Sequence, residues 1–179
     1  MPDLTRLPHE LDRKTGVCRA VIETPRGRRT KFDFDPKTRA FVVKTLLPEG
    51  LSFPLDFGFI PSTLADDGDP VDVMVLIDEP TFVGAVMDVR LIGAMEAEEI
   101  EHGKVERNDR LLAVGLCSHA YADIKTPDDL PKSFIRDLTE FWVNKDRLEG
   151  KRFKVLAISD AMAAVDLVHK GARQAKKAA

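Results

Sequence analysis

Cysteine is scarce in this 179-residue chain, which has only Cys18 and Cys117, far apart and each in an apolar-rich stretch. Neither belongs to a CxxC pair or a Cys/His cluster, so a zinc centre has no support. A disulfide between them is conceivable, and two reduced core thiols are the expectation. A surplus of positive charge is also missing. The net charge is −3, which argues against nucleic acid as the main partner, because phosphate-backbone binding needs a strongly basic face. The short basic tail Lys170, Arg173, Lys176 and Lys177 reads as cations over a helix C-terminus. No apolar run approaches the roughly 18 residues of a membrane helix. The opening segment MPDLTRLPHELDRKTG lacks the apolar region of a signal peptide. The expectation is a cytoplasmic protein with neither membrane nor nucleic acid as partner.

What is present is enough apolar residue for a core, 44% against 32% charged, and a length that suits one domain. Residues 1–16 read as a polar arm ordered only against a neighbouring subunit, and 17–179 as a single domain. Short strand-like runs follow at Val17–Thr24, Lys31–Phe34 and Ala40–Leu47, with turns at Gly27 and Asp35-Pro36. Leu51–Pro61 reads as irregular but packed. Val71–Ile77, Gly84–Met95 and Arg110–Cys117 read as strands, and the acidic stretch Glu96–Asp109 as a long hairpin loop. Pro127–Lys145 places Phe134, Leu138, Phe141 and Trp142 at helical spacing. Gly150 ends that helix, Arg152–Ile158 is a last strand, and Ser159 is the expected N-cap of a closing helix. That helix carries Met162, Val165, Val168 and Ala172 on one face. Strands first and helices last predict an α+β fold: a small closed, OB-like β-barrel with helices packed outside, two of them C-terminal.

The chemistry is concentrated in Asp67-Gly68-Asp69-Pro70-Val71-Asp72. Like charges this close repel by up to about 4 kcal/mol per pair at 4 Å in a surface dielectric. A hard divalent cation such as Mg²⁺ suits carboxylate oxygens and would offset that repulsion. Gly68 allows a tight turn between the first two acids. Pro70 biases Asp69 toward extended backbone and starts a strand without a ladder N–H. On that strand Val71, Val73, Val75 and Ile77 share one face, and Asp72, Met74 and Leu76 share the other. A solvated acidic turn is the competing reading. An EF-hand loop is excluded by Pro70 inside it, Asp72 at the glycine position and strands on both flanks.

The string Asp-Gly-Asp-Pro-Val-Asp-Val at 67–73 resembles the signature of the soluble (family I) inorganic pyrophosphatases. It is preceded, as in that family, by Phe53-Pro54-Leu55-Asp56-Phe57-Gly58-Phe59-Ile60. Val21-Ile22-Glu23-Thr24-Pro25 and Lys31-Phe32-Asp33 lie upstream in the family's order. Leu111-Leu112-Ala113-Val114, Asp128-Asp129-Leu130-Pro131 and Lys145 lie downstream. The resemblance spans Val17 to Ile158. It implies hydrolysis of pyrophosphate to two phosphates, with Mg²⁺ as cofactor and Mn²⁺ as a substitute. It implies Asp67 and Asp72 as metal ligands, Asp69 as general base, and Lys31, Lys44, Arg110 and Lys145 on the phosphoryl groups. It also implies a homo-oligomer, a hexamer being favoured by the small size.

Several positions depart from the family pattern. Asp33 stands for the usual Glu, Lys44 for Arg, and Arg110 for Lys, while Phe57 and Asn144 replace two tyrosines. The one tyrosine, Tyr121, lies elsewhere. Asn108 stands where a metal-binding Asp belongs, with Asp109 one place off. The second loop acid is Glu98, Glu99 or Glu101, and Glu99 is preferred as the ligand. Asp33, Asn108 and Asp109 complete the expected metal set, and Glu23 is either a lysine's partner or an indirect metal contact. These departures leave two alternatives: a weakened pyrophosphatase-like protein that binds metal and phosphate, and a hydrolase of another phosphoanhydride.

Overall fold

β-branched and aromatic runs separated by Gly and Pro turns become strands in the computed structural model, which describes residues 2–178. In chain order these are β1 (Val17–Thr24), β2 (Thr30–Asp35), β3 (Ala40–Leu46), β4 (Asp56–Phe59), β5 (Asp72–Leu76), β6 (Val86–Glu101), β7 (Lys104–Arg107) and β8 (Arg110–Gly115). Helix α1 (Lys132–Leu148), strand β9 (Arg152–Asp160) and helix α2 (Ala161–Ala178) complete the chain. Strands β1, β4, β5, β8 and β6 pair in that order, and β6 pairs back with β1, which closes a ring. Every pairing in the ring is antiparallel except β5 with β8. The long β6 also carries β9 and β7 on its far half. β2 and β3 form a separate hairpin.

Alternation along the strands sends residues to two cores. Val71, Val73 and Val75 join Leu111 and Ala113 under Ala164, Val165 and Val168 of α2. Met74 and Leu76 join Leu112 and Val114 under Leu138, Phe141 and Trp142 of α1. The expected two faces of the strand after Pro70 are therefore the two faces on which the helices pack. Among the described residues no helix is long and apolar enough to cross a membrane.

The structure corrects several local expectations. Glu96–Asp109 is not a long loop: β6 runs on to Glu101 and turns into β7 through His102 and Gly103, both at positive φ (49° and 80°). A two-residue turn of that handedness matches strand twist, so the acidic stretch forms ladder rather than loop. Ser159 is not the N-cap, because β9 extends to Asp160, whose carboxylate accepts the Ala163 N–H at 3.0 Å. Met162 is exposed, and Ala164 and Gly171 take its place on the packed face of α2. Helix α1 starts at Lys132, after a 3-10 turn at Pro127–Asp129. Both cysteines are free, yet only Cys18 is in the core and Cys117 is exposed. The arm is ordered against its own barrel: Leu4 is buried, Ser62 N–H donates to Thr5 O, and Arg19 N–H donates to His9 O.

Ring closure leaves no room at Gly58, where β4 crosses β1. A Cβ there would lie 1.9 Å from Val21 O and 2.8 Å from Ile22 Cα, both backbone atoms that cannot step aside. Gly58→Ala is expected to cost about 3 kcal/mol or more, the upper range for overpacking. For a domain of this size that lowers the melting midpoint by about 6–12 °C. A variant that melts within a degree of the parent would show that the β1–β4 contact is looser than described.

Candidate active site

The acidic loop is tied by hydrogen bonds at its neck and within it. Ile60 N–H donates to Val71 O at 2.9 Å, closing the loop's neck. The Thr63 hydroxyl donates to Ile60 O at 2.6 Å and accepts Val71 N–H at 2.9 Å, so one buried side chain ties both ends. Inside the neck, Ala65 N–H donates to Asp69 O at 2.7 Å, and Asp67 Oδ1 accepts Asp69 N–H at 3.1 Å. Gly68, at φ 93°, makes the reversal that an L side chain would resist. Asp72 then opens β5, between Phe59 of β4 and Arg110 of β8.

Asp69 and Asp72 line a cleft of about 840 Å³ together with Glu23, Lys31, Asp33, Lys44 and Phe57. Lys31 Nζ lies 3.0 Å from Asp33 Oδ1, and Lys44 Nζ lies 3.7 Å from Asp33 Oδ2. Burial works against the Lys31 ammonium, but Asp33 and Asp72 beside it carry its pKa above the ordinary lysine value. Burial pushes Asp72 up to about 6, against the pull of Arg110 and Lys31. Burial likewise pushes Glu23 up to about 8, although its carboxylate accepts Phe34 N–H at 2.6 Å. Asp67 keeps an exposed edge, and desolvation of its inner side raises it too. Asp72 and Glu23, both raised by burial and lining one cleft, mark it as a candidate functional site.

On the far side of Asp72, Arg110 is buried, with Nε 3.9 Å from Asp72 Oδ2. Its guanidinium stacks 3.9 Å from the Trp142 ring and 4.4 Å from Phe153, and it donates to Asn108 O at 3.2 Å. Asn108 Nδ2 donates to Glu99 Oε2 at 3.3 Å, and Lys151 Nζ holds Glu99 Oε1 at 2.7 Å. Lys145 is buried and pairs with Asp146 at 3.2 Å and Glu149 at 2.8 Å.

Asp109 is not part of this arrangement. It lies in the two-residue connection between β7 and β8, where it accepts Ala97 N–H at 3.0 Å and pairs with Arg107 at 2.8 Å. The expected ligand set therefore loses Asp109 to a structural ion pair, while Asn108 and Glu99 share the Arg110 side. Asn144 donates to Glu140 O of its own helix at 2.8 Å. Phe57 lines the cleft with its ring against Trp142, 5.2 Å between centroids. Lys151 and Asp146 were missed by sequence reasoning. Only the fold brings Lys151, next to Gly150, onto Glu99, and Asp146 reads as a helix-surface acid until α1 is seen to bury it.

The expected ligands Asp33, Asp67, Asp72, Glu99 and Asn108 all offer oxygen, which suits a hard divalent cation. Asp33 Oδ1 is buried in the cleft and already ion-paired with the Lys31 ammonium at 3.0 Å, so it would reach a cation only by sharing that oxygen. Among the described residues no three Asp, Glu, His or Cys side chains already converge into a cage. Mg²⁺ does not require one, since it keeps several waters and binds through one or two carboxylates. The residues fit such an ion.

Residues 20–176 match the family model described as inorganic pyrophosphatase. The inorganic pyrophosphatase of Synechocystis sp. is 37% identical over 166 residues, covering 93% of this chain and 95% of that protein. That of Nostoc sp. is 39% identical over 158 residues, covering 88% and 90%. The crystal structure of the inorganic pyrophosphatase from Thermus thermophilus superposes with a TM-score of 0.89 at 32% identity, covering 97% of this chain and 99% of that one. Sequence and fold agree over nearly the whole length, with the Asp67–Asp72 loop at the mouth of the cleft: the chain belongs to the family I inorganic pyrophosphatases.

Proposed function

We infer that this chain is a cytoplasmic enzyme that hydrolyses inorganic pyrophosphate to two phosphates in a cleft centred on Asp72, with Mg²⁺ as its cofactor. The observation that carries this reading is one cleft in which Asp69 and Asp72 face Lys31 and Lys44, on the frame shared with the named pyrophosphatases. Asp67 and Asp72 would hold the cation, with Asp33, Glu99 and Asn108 around it. A bound divalent cation neutralises phosphoryl oxygens and acidifies water. Asp69, at the lip of the cleft, takes the proton of the attacking water. The new P–O bond forms on one phosphorus as the bridging P–O bond breaks, and the bridging oxygen leaves with the second phosphate. Lys31 and Lys44 would hold the phosphoryl oxygens by charge-assisted hydrogen bonds, while Arg110 and Lys145, buried outside the lining of the cleft, would add positive charge from beneath it. Arg110 cannot swing away, because two aromatic rings pin its guanidinium. Assembly into a homo-oligomer, with a hexamer favoured by the chain's size, completes the reading.

Phosphate release from pyrophosphate, tripolyphosphate and nucleotides, with Mg²⁺, Mn²⁺ or EDTA, tests the reaction directly. Asp69→Asn keeps the loop but cannot accept a proton, and should lower the rate on pyrophosphate by about 10²–10⁴-fold. A variant as fast as the parent would remove Asp69 from the role of base.

Binding of Mg²⁺ at about 100 times its Kd should stabilise the fold by about 2.7 kcal/mol, a rise of about 5–10 °C in midpoint. Asp72→Ala should abolish that rise. A parent whose melting ignores millimolar Mg²⁺ would sink the metal assignment.

Without divalent cation, stability should fall as pH rises from about 4 to about 8. The ordinary values for Asp72 and Glu23 are 3.8 and 4.5, and the folded ones are about 6 and about 8. In that window the folded chain keeps protons that the unfolded chain has released, so the slope is negative. His9, held below its ordinary value by burial and Lys176, opposes this weakly. Melting in EDTA across the range should show the decline, and Glu23→Gln should flatten its upper half. A rising curve in the parent would contradict the burial of these two acids.

A further inference from the structure

Asp66, the residue before the acidic loop's first expected ligand, has no place in the chemistry above and turns away from the cleft. Its two carboxylate oxygens are both taken by α2: Lys170 Nζ donates to Oδ2 at 2.8 Å and Gln174 Nε2 donates to Oδ1 at 2.9 Å. Lys170 and Gln174 are four residues apart, so they present one helix face and grip the carboxylate from both sides. The loop's other contacts lead to the same helix. Leu64 N–H donates to Gly171 O at 3.0 Å. A Cβ at Gly171 would lie 2.8 Å from Val71 Cγ2 and 3.1 Å from Thr63 Cβ, so only glycine lets α2 approach this closely. Residues 64, 66 and 71 thus all register on one turn of α2, and Asp67 to Asp69 bulge out from that backing.

We propose that Asp66, Lys170 and Gln174 form a positioning clamp that sets the separation of Asp67, Asp69 and Asp72 for the divalent cation. The proposal rests on the reading that those acids hold Mg²⁺. The physical reason is the repulsion within the loop. Three carboxylates left to themselves move apart, and the ties within the loop, at Thr63 and between Ala65 and Asp69, fix its shape but not its seating on α2. A fourth carboxylate gripped by α2 removes that freedom, so less ordering is needed when the ion binds. Asp66 touches neither ion nor substrate. It is a positioning residue, and Lys170 is the other half of its mechanism.

Mg²⁺ binding measured by calorimetry on the full chain decides the matter, because the clamp and simple Coulomb attraction predict opposite signs for one variant. Lys170→Met removes a positive charge near the loop, and attraction alone would tighten Mg²⁺ binding. If Lys170 acts as a clamp, the same change weakens binding by about tenfold or more, the usual cost of losing a residue that orients a ligand. Gln174→Leu, which alters no charge, should weaken it in the same direction. Lys170→Arg keeps a donor and should restore most of the affinity. Rates should follow: at limiting Mg²⁺ the variants are slow, and at saturating Mg²⁺ kcat returns to near the parent value. Melting in EDTA reports whether each variant folds, and Gln174→Leu carries the test should Lys170→Met unfold. Unchanged or tighter Mg²⁺ binding in Lys170→Met and Gln174→Leu would overturn the clamp, with the metal site intact. A parent that binds no Mg²⁺ would overturn the metal reading itself, and the clamp with it.

Discussion

Repulsion among half-buried carboxylates is the constraint to which the rest of this structure responds. Asp67, Asp69 and Asp72 stand within six residues, and Glu23 and Asp33 line one cleft with Asp69 and Asp72. Left alone, such a group would keep its protons or open the loop. Three kinds of positive charge offset it. Lys31 and Lys44 pair with Asp33 at the rim, Arg110 lies buried behind Asp72, and a divalent cation would take the centre. Arg110 is the most restrained of these, held between Trp142 and Phe153, so its charge stays close to Asp72 at no further ordering cost.

The ring explains why these groups meet. A parallel β5–β8 pair puts Asp72 in register with Arg110, although nearly forty residues separate them in the chain. In the two-residue connection before β8, Asn108 stays with Arg110 while Asp109 turns to Arg107. That short connection thus divides adjacent polar residues between the Arg110 side and a structural ion pair. The helices divide the work in the same way. α1 delivers Trp142 and Lys145 to the Arg110 side, and α2 backs the acidic loop.

The departures from the family pattern become physical once their surroundings are known. Phe57 has exchanged a hydroxyl for tight aromatic packing against Phe53 and Trp142, at 5.7 and 5.2 Å. That wall of the cleft therefore has one donor fewer. Asn144 has turned to its own helix, so the phosphoryl oxygens would depend on Lys31 and Lys44 rather than on hydroxyl groups. A site built this way leans on charge more than on neutral donors, and such contacts weaken more steeply in salt where they are exposed, as at Lys44.

Much of the local plan was legible in the residues alone. Period-two alternation announced the two faces of the strand after Pro70, helical spacing announced the face of α1, and the Asp-Gly-Asp-Pro-Val-Asp run announced the acidic turn. These are short-range properties, set by backbone geometry and the pleat. The β6–β7 hairpin was hidden because an acidic, polar stretch looks like loop until its ladder partner is known. The fates of Asn108 and Asp109, of Lys151 on Glu99, and of Asp66 on α2 were not legible either. Each depends on which strand or helix arrives from far along the chain, and only ring closure decides that. Sequence by itself determined which residues could carry charge to the cleft. Tertiary structure decided which of those charges face one another, because burial and pairing are properties of neighbours in space rather than in the chain.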